Sequence, residues 1–156
     1  MIQDTIEQYA QGGANVKSAI EGLSPQELTA FPVPGKWSVQ QVIVHLADCE
    51  QVYADRMKRI IAEENPTLAG FDENKWTGAL YYHDQSAADA AALMDLTRRQ
   101  MVRVLRKLPE SAFERAGTHT QAGRKRLIDL VQGAVKHLDH HLKFVAEKRT
   151  ALGKGS

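Results

Sequence analysis

The chain predicts an all-α protein, a four-helix bundle, and two observations carry that expectation. Along four long segments apolar residues recur at intervals of three and four rather than two, the period of a helix with one buried face. No segment of the chain shows a convincing strand alternation. A soluble bundle also suits the balance of 43% apolar and 25% charged residues, and 156 residues can bury roughly 68–70% of their unfolded surface in one domain. With no linker-like tract in between, residues 1–150 read as a single domain and 151–156 as a disordered tail.

The first segment runs from about Asp4 to Leu23 with a stripe of Ile6, Tyr9, Val16 and Ile20, interrupted by Gly12 and Gly13, which weaken a helix. "SPQEL" offers Ser24 as an N-cap and Pro25 as the first residue of a short helical turn. Two prolines and a glycine make "FPVPGKW" a non-helical connector. A second long helix starts at Ser38, whose pairing with Gln41 three residues on is the capping-box pattern, and ends near Glu64. Residues 65–83 form an aromatic-rich connection long enough to suggest a functional loop.

The third helix is expected from about Ser86 to Lys107, its apolar set being Leu93, Leu96, Met101, Val104, Leu105 and Leu108. After the loop "PESAFERAGTHTQAG", a fourth helix is expected from about Arg124 to Arg149, with Leu127, Leu130, Val131, Ala134, Leu138, Leu142 and Val145 as its stripe. Lys and Arg gather at its C-terminal end, where the helix dipole favours them.

Twenty basic and nineteen acidic residues leave a net charge of +1, which supplies no global field for nucleic acid. The triplet Arg124, Lys125, Arg126 reads as the solvated opening of a helix. A lone cysteine, Cys49, excludes an intrachain disulfide. The N-terminal residues lack the basic and apolar regions of a signal peptide, and no apolar run approaches the roughly 18 residues of a membrane span. The expectation is a cytoplasmic protein that acts on a small molecule, without nucleic-acid or membrane partners.

Three of the six histidines lie in "VKHLDHHLKF". At about 100° per residue, His137 and His141 flank the buried stripe of the fourth helix, while His140 is turned toward solvent. On the second helix, His45 lies on the shoulder of the stripe, about 60° from Val42. Imidazoles from two facing helices can converge in a bundle interior on zinc, nickel, iron or copper. Three of them leave a coordination position open to water or substrate. The same spacing also suits partly buried imidazoles hydrogen-bonded to neighbours. Cys49 is a candidate fourth ligand or simple packing, and His83 and His119 lie in loops that could cap helices or line a pocket.

The stretch "GKWSVQQVIVHLADCEQVYADRM", together with "HLDHHLKFV", "NPTL", Trp76, Tyr82 and "LRKLPESAFERAGTHTQAG", resembles the DinB-like superfamily, including its thiol-dependent transferases. The resemblance spans residues 5–150. It implies a bundle running up-down-down-up with long crossover loops, a divalent metal on His45, His137 and His141, zinc or nickel above all, and a homodimer. Bound metal would open two routes. A low-molecular-weight thiol such as bacillithiol or mycothiol could attack an electrophile as thiolate, giving an S-transferase. Alternatively, water could attack an amide, ester or lactone, giving a hydrolase; a non-catalytic metal- or small-molecule-binding bundle is the third reading.

Hydrolysis benefits from a general base. Asp48 and Glu50 read as ordinary helix-surface groups, whereas Asp72 and Glu73 lie in the aromatic loop and could approach the open end of the site. The lack of an evident base near His45 favours thiol transfer. Tyr53, Arg56 and Trp76 are the expected substrate-binding residues, and Trp37 an anchor for its connector.

Overall fold

A computed structural model, which describes residues 1–155, builds the chain from six α-helices and one small sheet. The four long helices are α1 (Ile2–Ile20), α3 (Val39–Ala62), α5 (Ala87–Leu105) and α6 (Leu127–Ala151). The short ones are α2 (Pro25–Thr29) and α4 (Glu73–Ala79). None is long and apolar enough to cross a membrane. Both capping boxes form: Ser24 accepts from the Glu27 amide and Ser38 from that of Gln41, while each partner side chain accepts from the cap residue's own amide.

Two core clusters show how the long helices run. One unites the start of α1 (Ile6, Tyr9) and of α6 (Leu127 to Ala134) with the ends of α3 (Met57, Ile60) and α5 (Met101, Leu105). The other unites the end of α1 (Val16) and the later part of α6 (Leu138, Val145) with the starts of α3 (Val39 to Ala47) and α5 (Ala87 to Met94). Helices α1 and α6 therefore point one way and α3 and α5 the other, the up-down-down-up order. The chain after α3 must consequently travel the length of the bundle before α5 can begin, whereas the chain after α5 turns back at its own end.

Within those connections lie three strands that periodicity did not reveal. β1 (Thr67–Leu68) pairs in parallel with β2 (Ala116–His119), which pairs antiparallel with β3 (Gly123–Arg126). Strands of two and four residues are too short for alternation to register. Their contacts are nevertheless close: a Cβ on Gly117 would sit 2.7 Å from the Pro66 carbonyl oxygen. Arg115, just before β2, donates to the carbonyls of Ile60 and Glu63, both at 2.9 Å, and so ties the sheet to the C-terminal end of α3. Arg124, Lys125 and Arg126 belong to β3 and not to the opening of a helix, and α6 begins at Leu127.

The buried face of α5 differs from the expected one. Leu93, Leu96 and Val104 are exposed, and the face turned inward is Ala87, Ala90, Met94, Arg98, Met101, Val102 and Leu105. The rotation places Arg98 in the core, 1% exposed, where it donates to Glu50 Oε2 at 2.8 Å and to the carbonyls of Tyr9 and Ala134, each at 3.0 Å. The Tyr9 hydroxyl donates to the other Glu50 oxygen. Glu50 is thus an interior group and not the helix-surface group expected. The charges are buried, but each is paired and hydrogen-bonded, which is the condition on which such burial is tolerated. Gly12 leaves the room that the guanidinium occupies, so α1 runs unbroken through its two glycines. At the other end of the chain α6 continues to Ala151, and Lys154 pairs with Glu27 at 3.1 Å; of the six residues read as a tail, Ser156 lies outside those described.

Candidate metal centre

His45 occupies the second turn of α3 and is fully buried, with Trp37 edge-on to its ring at 5.2 Å between centroids. His137 and His141 reach it from α6: their Nε2 atoms lie 3.2 and 3.1 Å from His45 Nε2. Three nitrogens meeting so closely cannot all be satisfied by one another, because a neutral imidazole has one N–H and one lone pair. Donors on a tetrahedral ion at 2.0–2.1 Å are roughly 3.3 Å apart, and the distances from His45 Nε2 to each of the other two match that spacing.

Protonation points the same way. Burial first, and neighbouring imidazoles second, lower all three rings from the usual 6.5, His45 to about 3 and His137 and His141 to about 4. Neutral imidazole is the form that ligates. His141 Nδ1 is buried with no partner among the described residues.

A second donor set overlaps the first: one atom each from His45, Cys49, Glu73 and His137 lies within 4.8 Å of the others. The three imidazoles make the better inner set. Cys49 Sγ is 3.6 Å from both nitrogens of His45, which puts it off the Nε2 lone-pair axis, and burial pushes its thiol well above the ordinary range, toward the protonated form. Glu73 differs from Cys49. It opens α4, is half exposed, and holds Oε2 3.9 Å from His45 Nε2. Its neighbour Asp72 is spent on capping α4, accepting from the Lys75 amide at 3.0 Å.

Around this point the other expected residues divide. Arg56 and Trp76 line one cleft of about 560 Å³. In it Trp76 packs on Phe71 at 4.3 Å, and Arg56 donates to the Ala69 carbonyl at 2.6 Å. Tyr53 is half-buried on the histidine side, its ring 6.1 Å from that of His137. His140 is exposed against Phe144, as its helical angle implied. His119 accepts from the amides of Gln121 and Ala122 and so closes the β2–β3 turn, while His83 stacks on Phe31. Asp48, expected on the surface, accepts from the Tyr82 hydroxyl at 2.6 Å and fastens the crossing connection to α3.

A second, smaller cavity of about 270 Å³ adjoins His141, between Trp37, Val42, Phe144, Glu147 and Lys148. Sequence reasoning gave no hint of it, because its two sides come from the connector before α3 and the last turns of α6.

A sequence model of the DinB superfamily matches residues 8–145. The chain is 27% identical over 143 residues to YfiT of Bacillus subtilis, covering 90% of this chain and 79% of that one. A Bacillus licheniformis relative is 28% identical over 139 residues, 88% of this chain and 79% of its own. Both carry the provisional name of metal-dependent hydrolase. The fold superposes on the solved YfiT structure, described as a four-helix bundle of unusual topology, with a TM-score of 0.91 at 24% identity, over 99% of this chain and 89% of that one. It also superposes on the mycothiol-dependent maleylpyruvate isomerase, with a TM-score of 0.72 at 13% identity, over 92% of this chain and 60% of the isomerase.

Proposed function

The chain belongs to the DinB superfamily, and on that premise we propose that it is a metal-dependent hydrolase of small amides, esters or lactones. His45, His137 and His141 hold a divalent ion, zinc or nickel, and Glu73 serves as general base. The observation that carries the proposal is the meeting of three Nε2 atoms, at 3.1 and 3.2 Å from His45, with a carboxylate 3.9 Å away. A divalent ion held by three imidazoles supplies Lewis acidity and brings the pKa of a bound water down to about 7.

The chain's own groups do the rest. Glu73, at the start of α4, accepts a proton from the attacking water and returns it to the leaving group. This is the base that the helix-surface reading of Asp48 and Glu50 left missing, and it tips the balance from thiol transfer to hydrolysis. The Trp76–Phe71 wall and Arg56 give one cleft an apolar side and a cation, suited to seating the substrate, with Tyr53 beside His137.

Transfer from a low-molecular-weight thiol remains the second reading, and one observation favours it. The structure has two separate cavities, one of about 270 Å³ lined by His141 and one of about 560 Å³ lined by Arg56 and Trp76, as a reaction of two substrates needs, and a divalent ion deprotonates a coordinating thiol.

Metal content after purification without chelator, on wild type and on His45→Ala, His137→Ala and His141→Ala, tests the ligands. About one equivalent is expected in wild type and a large loss in each variant; wild-type protein with almost no transition metal would sink both readings. Turnover of an ester, amide and lactone series by Glu73→Gln tests the base. A fall in kcat of roughly 10²–10⁴-fold with metal retained is expected, and turnover that appears only when a thiol is added would transfer the assignment to the second reading.

A further inference from the structure

The smaller cavity is lined by a buried lysine that no carboxylate pairs with among the described residues. Lys148 is 3% exposed, although lysine is almost never that buried without a partner. Among the described residues no carboxylate lies within ion-pair distance of it and no acceptor within hydrogen-bond distance. Its Nζ is nonetheless not sealed in, because among the described residues the only unpartnered side-chain polar atoms cut off from solvent are Arg56 Nε and His141 Nδ1. Lys148 is one of the residues that line the cavity.

Helix geometry decides which way the group faces. Side chains of a helix lean toward its N-terminus, so Lys148 reaches back over Phe144, with Nζ 5.8 Å from that ring's centroid, in the direction of His141. The two residues are seven apart, about 10 Å along the axis. Trp37, Val42 and Phe144 make the walls between them apolar. Of the other charged residues at the cavity, Lys36 and Glu147 offset one another, leaving a balance of one positive charge.

We propose that this cavity is a carboxylate subsite: Lys148 binds the carboxylate of a small organic monoanion whose apolar body lies against Trp37 and Phe144 and whose other end faces His141. With Lys36 offset by Glu147, a net charge of one suits a carboxylate monoanion rather than a phosphate dianion, which calls for more positive charge than that. The volume of about 270 Å³ admits a molecule the size of benzoate. The subsite rests on the hydrolytic reading only for what lies at its far end.

Benzoate and its neutral counterpart benzamide are the probes, titrated calorimetrically into wild type, Lys148→Met and Lys148→Gln. Each protein is used both as purified and after chelator treatment, so that a carboxylate bound directly by metal is told apart. Lys148→Met keeps the length of the side chain without its charge, and Lys148→Gln is a second variant should the first fold poorly. Benzoate is expected to bind wild type in the millimolar range or tighter and each variant at least tenfold more weakly, with benzamide binding unchanged, in both metal states. Benzoate affinity within twofold of wild type in either folded variant overturns the proposal, and so does wild type that takes up no benzoate at millimolar concentration. Lys148-dependent binding in a protein that carries no metal would sustain the subsite while removing the hydrolase; metal-dependent turnover without such binding would do the reverse.

Discussion

Gly12→Ala tests the reasoning that a glycine is kept in α1 to make room for a buried arginine. A Cβ built there lies 1.8 Å from Arg98 Nη1, 2.6 Å from Cζ and 2.8 Å from Leu138 Cδ2. The guanidinium cannot swing aside cheaply, since it donates to Glu50 at 2.8 Å and to the Tyr9 and Ala134 carbonyls at 3.0 Å. Breaking a buried pair costs about 3–5 kcal/mol, and Ala in place of Gly in a helix returns about 1 kcal/mol, so a net loss of about 2–4 kcal/mol is expected. For a domain of this size, 1 kcal/mol shifts Tm by about 2–4 °C, which puts the expected drop at about 5–15 °C. Gly13→Ala is the control. Its Cβ would meet Asp95 Oδ1 at 2.2 Å, but Asp95 has a 42% exposed side chain that among the described residues pairs only with surface Arg99, so its carboxylate can turn away. That variant should melt within about 3 °C of wild type or somewhat above it. Thermal and urea unfolding read both, and a Gly12→Ala protein as stable as Gly13→Ala would refute the account.

Acid should destabilise the chelator-treated protein. The rings of His45, His137 and His141 titrate near 6.5 unfolded but at about 3 to 4 when folded. The unfolded chain therefore binds more protons below pH 6.5, and the stabilisation present above that pH is lost as pH falls toward 4. The slope reaches at most about 1.4 kcal/mol per pH unit for each ring, least for the more open His141, and urea midpoints between pH 7 and 4.5 that do not move would contradict it. Cys49→Ala should keep its metal stoichiometry, because the sulfur lies off the Nε2 axis of His45; loss of metal would promote Cys49 to a ligand. Ser38→Ala removes the cap of α3 and should cost about 1 kcal/mol, measured by urea unfolding, with metal content unchanged.

The parts of this protein that are legible in its sequence are those set by neighbours along the chain. Helix periods, the Ser24 and Ser38 caps, and the angles that turn His137 and His141 inward and His140 outward depend on residues three, four or seven apart. What could not be read is what depends on partners distant in sequence. The inward face of α5 was misassigned because an arginine sits in the middle of it: the spacing 87, 90, 94, 98, 101, 105 is a complete helical stripe only if Arg98 is allowed in the core. Nothing local permits that, since the groups that make it tolerable are Glu50 on α3, two carbonyls on α1 and α6, and the absence of a side chain at Gly12. The same holds for strands of two and four residues, which exist only as pairs.

The histidine centre divides along the same line. Local spacing, joined to a family resemblance, sufficed to single out His45, His137 and His141 as a set, because each side's direction is a property of its own helix. Sequence could name Glu73 only together with Asp72 as loop carboxylates able to approach the site; the choice between them, and the burial of Lys148, were decided by tertiary structure. Whether a half-exposed carboxylate on a crossing connection comes within 3.9 Å of His45, and whether a lysine near the end of α6 is left solvated or enclosed, depends on how loops close over helix ends. Those closures are set by packing between segments tens of residues apart, which no periodicity encodes.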